Sequence, residues 1–501
     1  MLTAFSLGPC LSFSYNAVNG EPSCASSFLL QDILRDQWDW DGYVTSDCGA
    51  IQDVANPHHF RPTAPEAASV SLKAGTDLDC GGFYGHQLAP AIHNGLLDES
   101  DLDKALVRLF SARMKLGMFD PFDQQPYMQY PPDILGHPDH VATALQLAQE
   151  SIVLLKNEGG FLPLHADSIK KMAALGPHVL STSAMCGNYH GDLPKVISPL
   201  EGMQNRFSGE IKGVKGCDIN GNKTSDFAPA MEAAKSADVA ILFMGIQGGI
   251  EGEGRDREEI GLPGVQEQFI EAIAKVQSKT VLVLINGGSV DVSAAKMNPN
   301  VVAIVEAFYP GMRGGQAIAD VLFGHYNPSG RLPYTIHKKE FVDQISMADM
   351  SMTNATGRTY RYFRGEVVYP FGYGLSYTTF EYETSELVGD RTEDGGPKYR
   401  VRVTNTGKMD GDTSVLAYLS LKQDKGNSDY SCPLSQLFAF EKIHLKPGES
   451  KELFFSASLS ALRCYRTSTK SLGVPTGLYS VRIGDEYHDF LRSPDLESMQ
   501  A

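Results

Sequence analysis

Positive charge is in short supply: 43 Lys and Arg stand against 60 Asp and Glu, a formal charge of −17. A surface of that sign repels nucleic acid and anionic lipid, so neither is an expected partner, while neutral and cationic ligands stay open. Long apolar runs are missing as well. The longest, around Ala240–Ile246, is strand-sized and far below the roughly 18 residues that suggest a membrane helix. Cysteine is sparse, eight in 501 residues (10, 24, 48, 80, 186, 217, 432 and 464), and none form the Cys-x-x-Cys pairs of metal or redox sites. The first fourteen residues, MLTAFSLGPCLSFS, lack the basic n-region of a secretory signal and read as a chain start or truncation scar. No internal repeat or low-complexity segment is found.

What is present is an ordinary globular composition, 42% hydrophobic and 21% charged, long enough for about three domains. Asn-x-Ser/Thr sequons at Asn222 and Asn354 permit glycosylation if the chain is secreted. Residues 25–120 alternate helical and extended patterns. Helical spacing spans Ser26–Trp38, a strand is expected at Gly42–Ser46, a helix at Pro65–Ala74 and a strand at Thr76–Cys80. A further helix should open at Ser100-x-x-Asp103 and end near Gly117, with Leu102, Leu106, Leu109 and Phe110 on one face. Such layering points to a parallel sheet or barrel. After a Pro-rich linker, Val141–Leu155 and the apolar segments Met172–Leu175, Val239–Gly245, Val281–Ile285 and Val301–Val305 indicate a second α/β domain. From about residue 381, short alternating strands between turn residues indicate a small β-sandwich.

Two segments could carry chemistry. In Gly42-Tyr-Val-Thr-Ser-Asp47-Cys48 an apolar strand delivers a carboxylate at its C-terminal end, where barrel enzymes place catalytic groups; a helix N-cap is the alternative. The loop Gln247-Gly-Gly-Ile-Glu251-Gly-Glu253-Gly-Arg255-Asp256-Arg257 follows a buried strand but has Arg257 where a dinucleotide fingerprint needs its third glycine. Flexible glycines around a carboxyl suit an acid that reaches a ligand from a separate domain, and a solvated charge run is the alternative. Two carboxyls are the minimum for glycoside hydrolysis, one as nucleophile and one protonating the leaving oxygen.

Six segments, in order along nearly the whole chain, resemble glycoside hydrolase family 3. They are Ser14-Tyr-Asn-Ala-Val-Asn-Gly20 with Pro22-Ser-Cys24, the Asp47 strand, Ala74-Gly-Thr-Asp-Leu-Asp-Cys80, Glu251–Arg257, Asn327-Pro-Ser-Gly-Arg-Leu-Pro333 and Tyr369-Pro-Phe-Gly-Tyr-Gly-Leu-Ser376. Ser-Asp-Cys in place of Ser-Asp-Trp is similar to the β-xylosidase branch. The resemblance implies Asp47 as nucleophile, Glu253 as acid/base with Glu251 as runner-up, Tyr15 as a sugar contact, and a Cys48–Cys80 disulfide beside the sugar. Core packing for Tyr15 and free thiols for the cysteines are the alternatives. It also implies a retaining exo-β-D-xylosidase acting on xylo-oligosaccharides or another small glycoside, without metal or organic cofactor. β-Glucosidase or α-L-arabinofuranosidase activity, or a non-catalytic carbohydrate-binding or interaction role, is the alternative. Secretion follows from the resemblance, and the oligomeric state stays open.

The fold class expected is multidomain α/β plus β. Its parts are the C-terminal half of a (β/α)8 TIM-type barrel over 1–119, a linker at 120–139, an α/β sandwich domain at 140–336, a connecting segment at 337–380, a fibronectin type III-like domain at 381–490 and a tail at 491–501. Relatives carry a barrel of about 250 residues before the linker. The resemblance therefore implies a chain beginning near the sixth strand: a fragment of a full enzyme or, less favoured, a short form that pairs or has lost activity. Phe13 stands where xylosidase-like sequences tend to have Cys, which leaves Cys24 without its usual partner and Cys10 as a substitute.

Overall fold

Strand Tyr43–Ser46 (β2) forms because Tyr43, Val44 and Thr45 favour extended backbone, and it pairs in parallel with Cys10–Phe13 (β1). The computed structural model describes residues 10–393, 395–424 and 429–492, in two compact units, 1–135 and 136–501. The tail beyond residue 492 and the chain start through residue 9 lie outside the described residues.

In the first unit the longer helices are Phe28–Gln37 (α1), Ala64–Ala74 (α2), Phe83–His93 (α3) and Glu99–Lys115 (α4). Thr63 and Glu66 close a capping box on α2, and Gly75, left-handed at φ 118°, ends it. The expected strand at Thr76–Cys80 is reduced to an extended run bridging β2 at Thr45–Leu78, with both Asp77 and Leu78 amides donating to Val44 O. Helix α4 is capped two residues before the Ser100 reading: Asp98 caps it, with Asp101 completing the box. It buries its small side, Ala105 and Ala112, and leaves Leu106 and Phe110 exposed, Phe110 stacking on Phe119.

Asp77, missed by the sequence reading, pins this unit. Its buried carboxylate takes Arg108 at 2.8 Å, Arg35 at 3.2 Å and the Val44 amide at 2.9 Å, joining α1, α4 and β2. Burial pushes its pKa up, opposed by the Val44 amide and the two arginines. Replacing Asp77 by Ala takes the carboxylate from Arg108 and from Arg35, which keeps only Trp40 O and Gly42 O, so the chain should lose about 3 kcal/mol in denaturant unfolding of this unit. A loss below about 1 kcal/mol would show that the clamp is dispensable.

The second unit opens with Pro138–Ser151 (α5) and a six-stranded sheet. In chain order its strands are Val153–Asn157 (β3), Lys171–Leu175 (β4), Glu210–Val214 (β5), Val239–Gly245 (β6), Thr280–Ile285 (β7) and Val301–Glu306 (β8). The spatial order is β3-β8-β7-β6-β4-β5, parallel except for β3 against β8. Every residue of β6 is buried because both faces are covered: Ala240, Leu242 and Met244 join one core, Val239, Ile241 and Phe243 the other. Helices Phe227–Lys235 (α6), Gln266–Val276 (α7) and Gly314–Leu322 (α8) supply those covers.

Downstream, a three-stranded sheet of Phe380–Arg391, Pro397–Asn405 and Ser450–Ser456 shares one core with a four-stranded sheet of Gly411–Asp424, Gln436–Leu445, Gly477–Ile483 and Glu486–Arg492. Tyr399, Val401 and Val403 from one sheet meet Val415, Ala417 and Val481 from the other at alternate positions.

Candidate active site

The chain leaves β2 at Asp47, whose amide donates to Phe13 O at 2.8 Å, so the carboxylate stands at the C-terminal end of the parallel pair. Its Oδ1 accepts from the Cys48 amide at 2.7 Å and from the Tyr15 hydroxyl at 3.2 Å. Tyr15 also donates to Cys48 O at 2.9 Å, and the ring of His58 bonds Tyr15 O at 2.6 Å. Tyr15 is 38% exposed, which places it at the surface beside Asp47 rather than in a core. A disulfide joins Cys48 to Cys80, and the Gly49 amide donates to Cys80 O, closing the loop after β2 onto the Asp77–Cys80 segment. Left-handed Gly49, at φ 86°, turns the chain from Asp47 into the short helix Ala50–Asp53.

Beneath the carboxylate, Cys24 is a buried free thiol directed at Phe13 O and Ser14 O. Burial and the nearby aspartates 47, 53 and 79 push it up to about 12, so it stays a protonated, unreactive thiol. The Cys10 substitution is corrected: Cys10 is free, exposed and at the start of β1, and Cys24 has no disulfide partner. A second disulfide, Cys432–Cys464, was not assigned from the sequence.

In the second unit, hydrogen bonds shape the glycine-rich loop after β6. Two successive turns shape it, Ile250 N to Gln247 O at 2.8 Å and Arg255 N to Gly252 O at 3.0 Å. Glu253 and left-handed Gly254 form the tip of the second turn, which makes glycine the fitting residue there. Glu253 is exposed at that tip, and the Tyr189 hydroxyl donates to its Oε2. Tyr189 lies on the connection after β4. Strands β4 and β6 are neighbours from which the chain proceeds in opposite directions, and a crevice beyond such a switch point is where open α/β sheets bind ligands.

Glu251 faces the other way. Its Oε1 accepts from the amides of Gly287 at 2.8 Å and Gly288 at 2.9 Å and from Tyr309 Oη at 2.8 Å; Arg257 Nε lies 3.4 Å from Oε2. Under it, buried Asn286 donates to Gly288 O at 3.0 Å and to Glu306 Oε2 at 3.3 Å. Glu306 is fully buried at the end of β8, and desolvation, with Glu251 nearby, pushes its carboxyl up to about 8. The folded carboxyl thus keeps its proton up to that pH, whereas the unfolded one loses it near 4.5. The folded state binds the extra proton across that window, so stability falls as pH rises from about 4.5 to 8. Glu306→Gln should remove that slope, raising stability at pH 8 by on the order of a few kcal/mol over its effect at pH 5. Thermal melts of both proteins at the two pH values test this, and parallel slopes would contradict it.

Residues 11–112 match the glycosyl hydrolase family 3 N-terminal domain, 152–377 the family 3 C-terminal domain, and 414–487 a fibronectin type III-like domain. The chain belongs to glycoside hydrolase family 3. Among its relatives is a probable exo-1,4-β-xylosidase, bxlB, of Aspergillus fumigatus, 41% identical over 90% of this chain and 60% of its own length. β-D-Xylosidase 1 of Arabidopsis thaliana is 36% identical over 96% of this chain and 66% of its own. The chain therefore spans 60% of the length of the first of these relatives. A solved family 3 exo-β-xylosidase, XlnD, in complex with a xylobiose aziridine activity-based probe, superposes with a TM-score of 0.88 at 33% identity, over 96% of this chain and 65% of that one. A β-glucosidase from Listeria innocua in complex with isofagomine gives 0.82 at 27%, over 96% and 68%. The multidomain α/β plus β class is that of the family.

Proposed function

We propose that this chain carries the catalytic residues of a retaining, exo-acting β-D-xylosidase that releases xylose from xylo-oligosaccharides. The observation that carries the reading is the Asp47 carboxylate at the C-terminal end of β2, oriented by Tyr15 and the Cys48 amide and bordered by the Cys48–Cys80 disulfide. The curated names of the Aspergillus and Arabidopsis relatives support the sugar.

Asp47 attacks the anomeric carbon as the glycosidic bond breaks, and Glu253 gives its proton to the departing oxygen. Glu253, now ionised, takes a proton from water, which opens the glycosyl ester at Asp47. Two inversions give net retention. Tyr15, bonded to both Asp47 and Cys48 O, holds the nucleophile during attack and serves as a sugar contact. Cys48 and Cys80 form the rigid wall next to it. Glu253 is favoured over Glu251 as acid because it is exposed at a turn tip, whereas Glu251 is occupied by amides, a phenol and an arginine. The two disulfides support an extracellular location. A relative in Medicago sativa named β-xylosidase/α-L-arabinofuranosidase 2 makes arabinofuranoside a second substrate to assay.

The test is hydrolysis of an aryl β-xyloside by the chain beside its Asp47→Asn variant. Turnover lost in the variant supports the proposal, whereas a folded chain without turnover favours a non-catalytic carbohydrate-binding role.

A further inference from the structure

The loop bearing Glu253 carries two carboxylates two residues apart, and the structure gives them opposite surroundings. Glu251 is drawn onto the turn after β7, with Gly287 and Gly288 amides, the Tyr309 hydroxyl and Arg257 converging on one carboxylate. The turn is built to receive it. A Cβ on Gly287 would stand 2.7 Å from Glu251 Oε1 and 2.7 Å from Tyr309 Cε2, and one on Gly288 2.8 Å from Glu251 Oε2 and 2.5 Å from Arg257 Nη2. Neither glycine has a left-handed φ, so space for the carboxylate and its neighbours, not backbone freedom, is what a side chain there would remove. From below, Asn286 ties Gly288 O to Glu306 at the end of β8, anchoring the turn to two central strands.

We infer that Glu251, seated on the Gly287-Gly288 amides with Tyr309, is a positioning residue: a latch that fixes the Gly252–Arg255 turn and thereby sets where Glu253 stands. The inference rests on the reading of Glu253 as the acid/base. Charge-assisted bonds to amides are about twice as strong as neutral ones, so they add to the two turns and to the Tyr189, Arg255 and Arg257 bonds that hold the loop. The latch also explains how a segment with glycines on both sides of Glu253 can still present one defined carboxyl: on either side of the tip Glu251 and Arg257 grip the turn after β7, and Arg255 bonds Gly248 O across it at 3.0 Å.

Hydrogen–deuterium exchange on the full chain tests the latch without relying on turnover. Glu251→Ala should speed exchange of the amides of 247–256 and of 287–288 at least about tenfold, and Tyr309→Phe, which deletes one hydroxyl, by less. Glu251→Gln, which keeps an acceptor, should restore part of the protection, and Gly287→Ala should mimic Glu251→Ala. Glu253→Gln should leave exchange at 287–288 unchanged. Unchanged exchange in Glu251→Ala and Tyr309→Phe, with the fold intact by circular dichroism, overturns the latch. The kinetic arm separates it from the underlying reading: azide should rescue turnover in Glu253→Ala but not in Glu251→Ala. Rescue in Glu251→Ala alone would make Glu251 the acid/base and overturn both. Loosened exchange in Glu251→Ala with no rescue in Glu253→Ala would keep the latch and remove Glu253 as the acid.

Discussion

Asp47→Asn should abolish turnover of aryl β-xylosides, by on the order of 10⁴-fold or more, while the protein stays folded. The expected loss is this large because an amide cannot form the glycosyl ester, so the two-step route closes altogether. Stability should hardly move. The substituted amide side chain is isosteric with the carboxylate and retains an oxygen for the Tyr15 hydroxyl and the Cys48 amide, which now donate to Asp47 Oδ1. The loop remains closed by the Cys48–Cys80 bond and by Gly49 N to Cys80 O. Activity within about tenfold of the parent, measured with a purified variant free of parent enzyme, would rule out Asp47 as nucleophile.

Glu253→Ala should be second in size and different in kind. For a poor leaving group, loss of general acid catalysis is worth on the order of 10²–10⁴-fold. For a dinitrophenyl xyloside, whose phenolate departs without a proton, the first step should be nearly untouched and the glycosyl-enzyme should accumulate. Azide, which needs no general base, should then release it and give a β-xylosyl azide. An equal loss with good and poor leaving groups would contradict the assignment. Stability should change little, since Glu253 is exposed at the tip of a turn and its bond to the Tyr189 hydroxyl is at the surface.

Much of this was legible because the chemistry sits at ends of apolar strands. Val44 and its neighbours announced β2, and the carboxylate after it was the natural candidate. The fully buried β6 and β7 stood out as unbroken apolar runs. Strand β5 did not, because an edge strand carrying Lys212 and Gly213 is largely exposed and lacks either period. The cap of α4 was misplaced by two residues since two overlapping acidic capping patterns occur in Asp98–Asp103, and only the backbone geometry selects Asp98. Asp77 looked like a motif residue rather than a clamp because its partners, Arg35 and Arg108, lie 42 and 31 residues away.

The loop of Glu251 and Glu253 shows where sequence reasoning ends. Spacing alone could not choose between two carboxylates in a glycine-rich segment, and suggested mobility. What separates them is the Gly287-Gly288 turn and Tyr309, 36 to 58 residues downstream, which occupy one carboxylate and leave the other at the tip. Likewise, the raised Glu306 carboxyl follows from complete burial at a strand end, which an isolated glutamate after Val301–Val305 does not announce.

The central claim is that Asp47 forms the covalent bond to the sugar. Its most direct test is to incubate the chain with a xylobiose aziridine probe or a 2-fluoro-xylosyl donor, digest it and locate the added mass by tandem mass spectrometry. The account predicts one labelled peptide, modified at Asp47 and absent from Asp47→Asn. A label on any other carboxylate, Asp79 or Glu253 included, would contradict it.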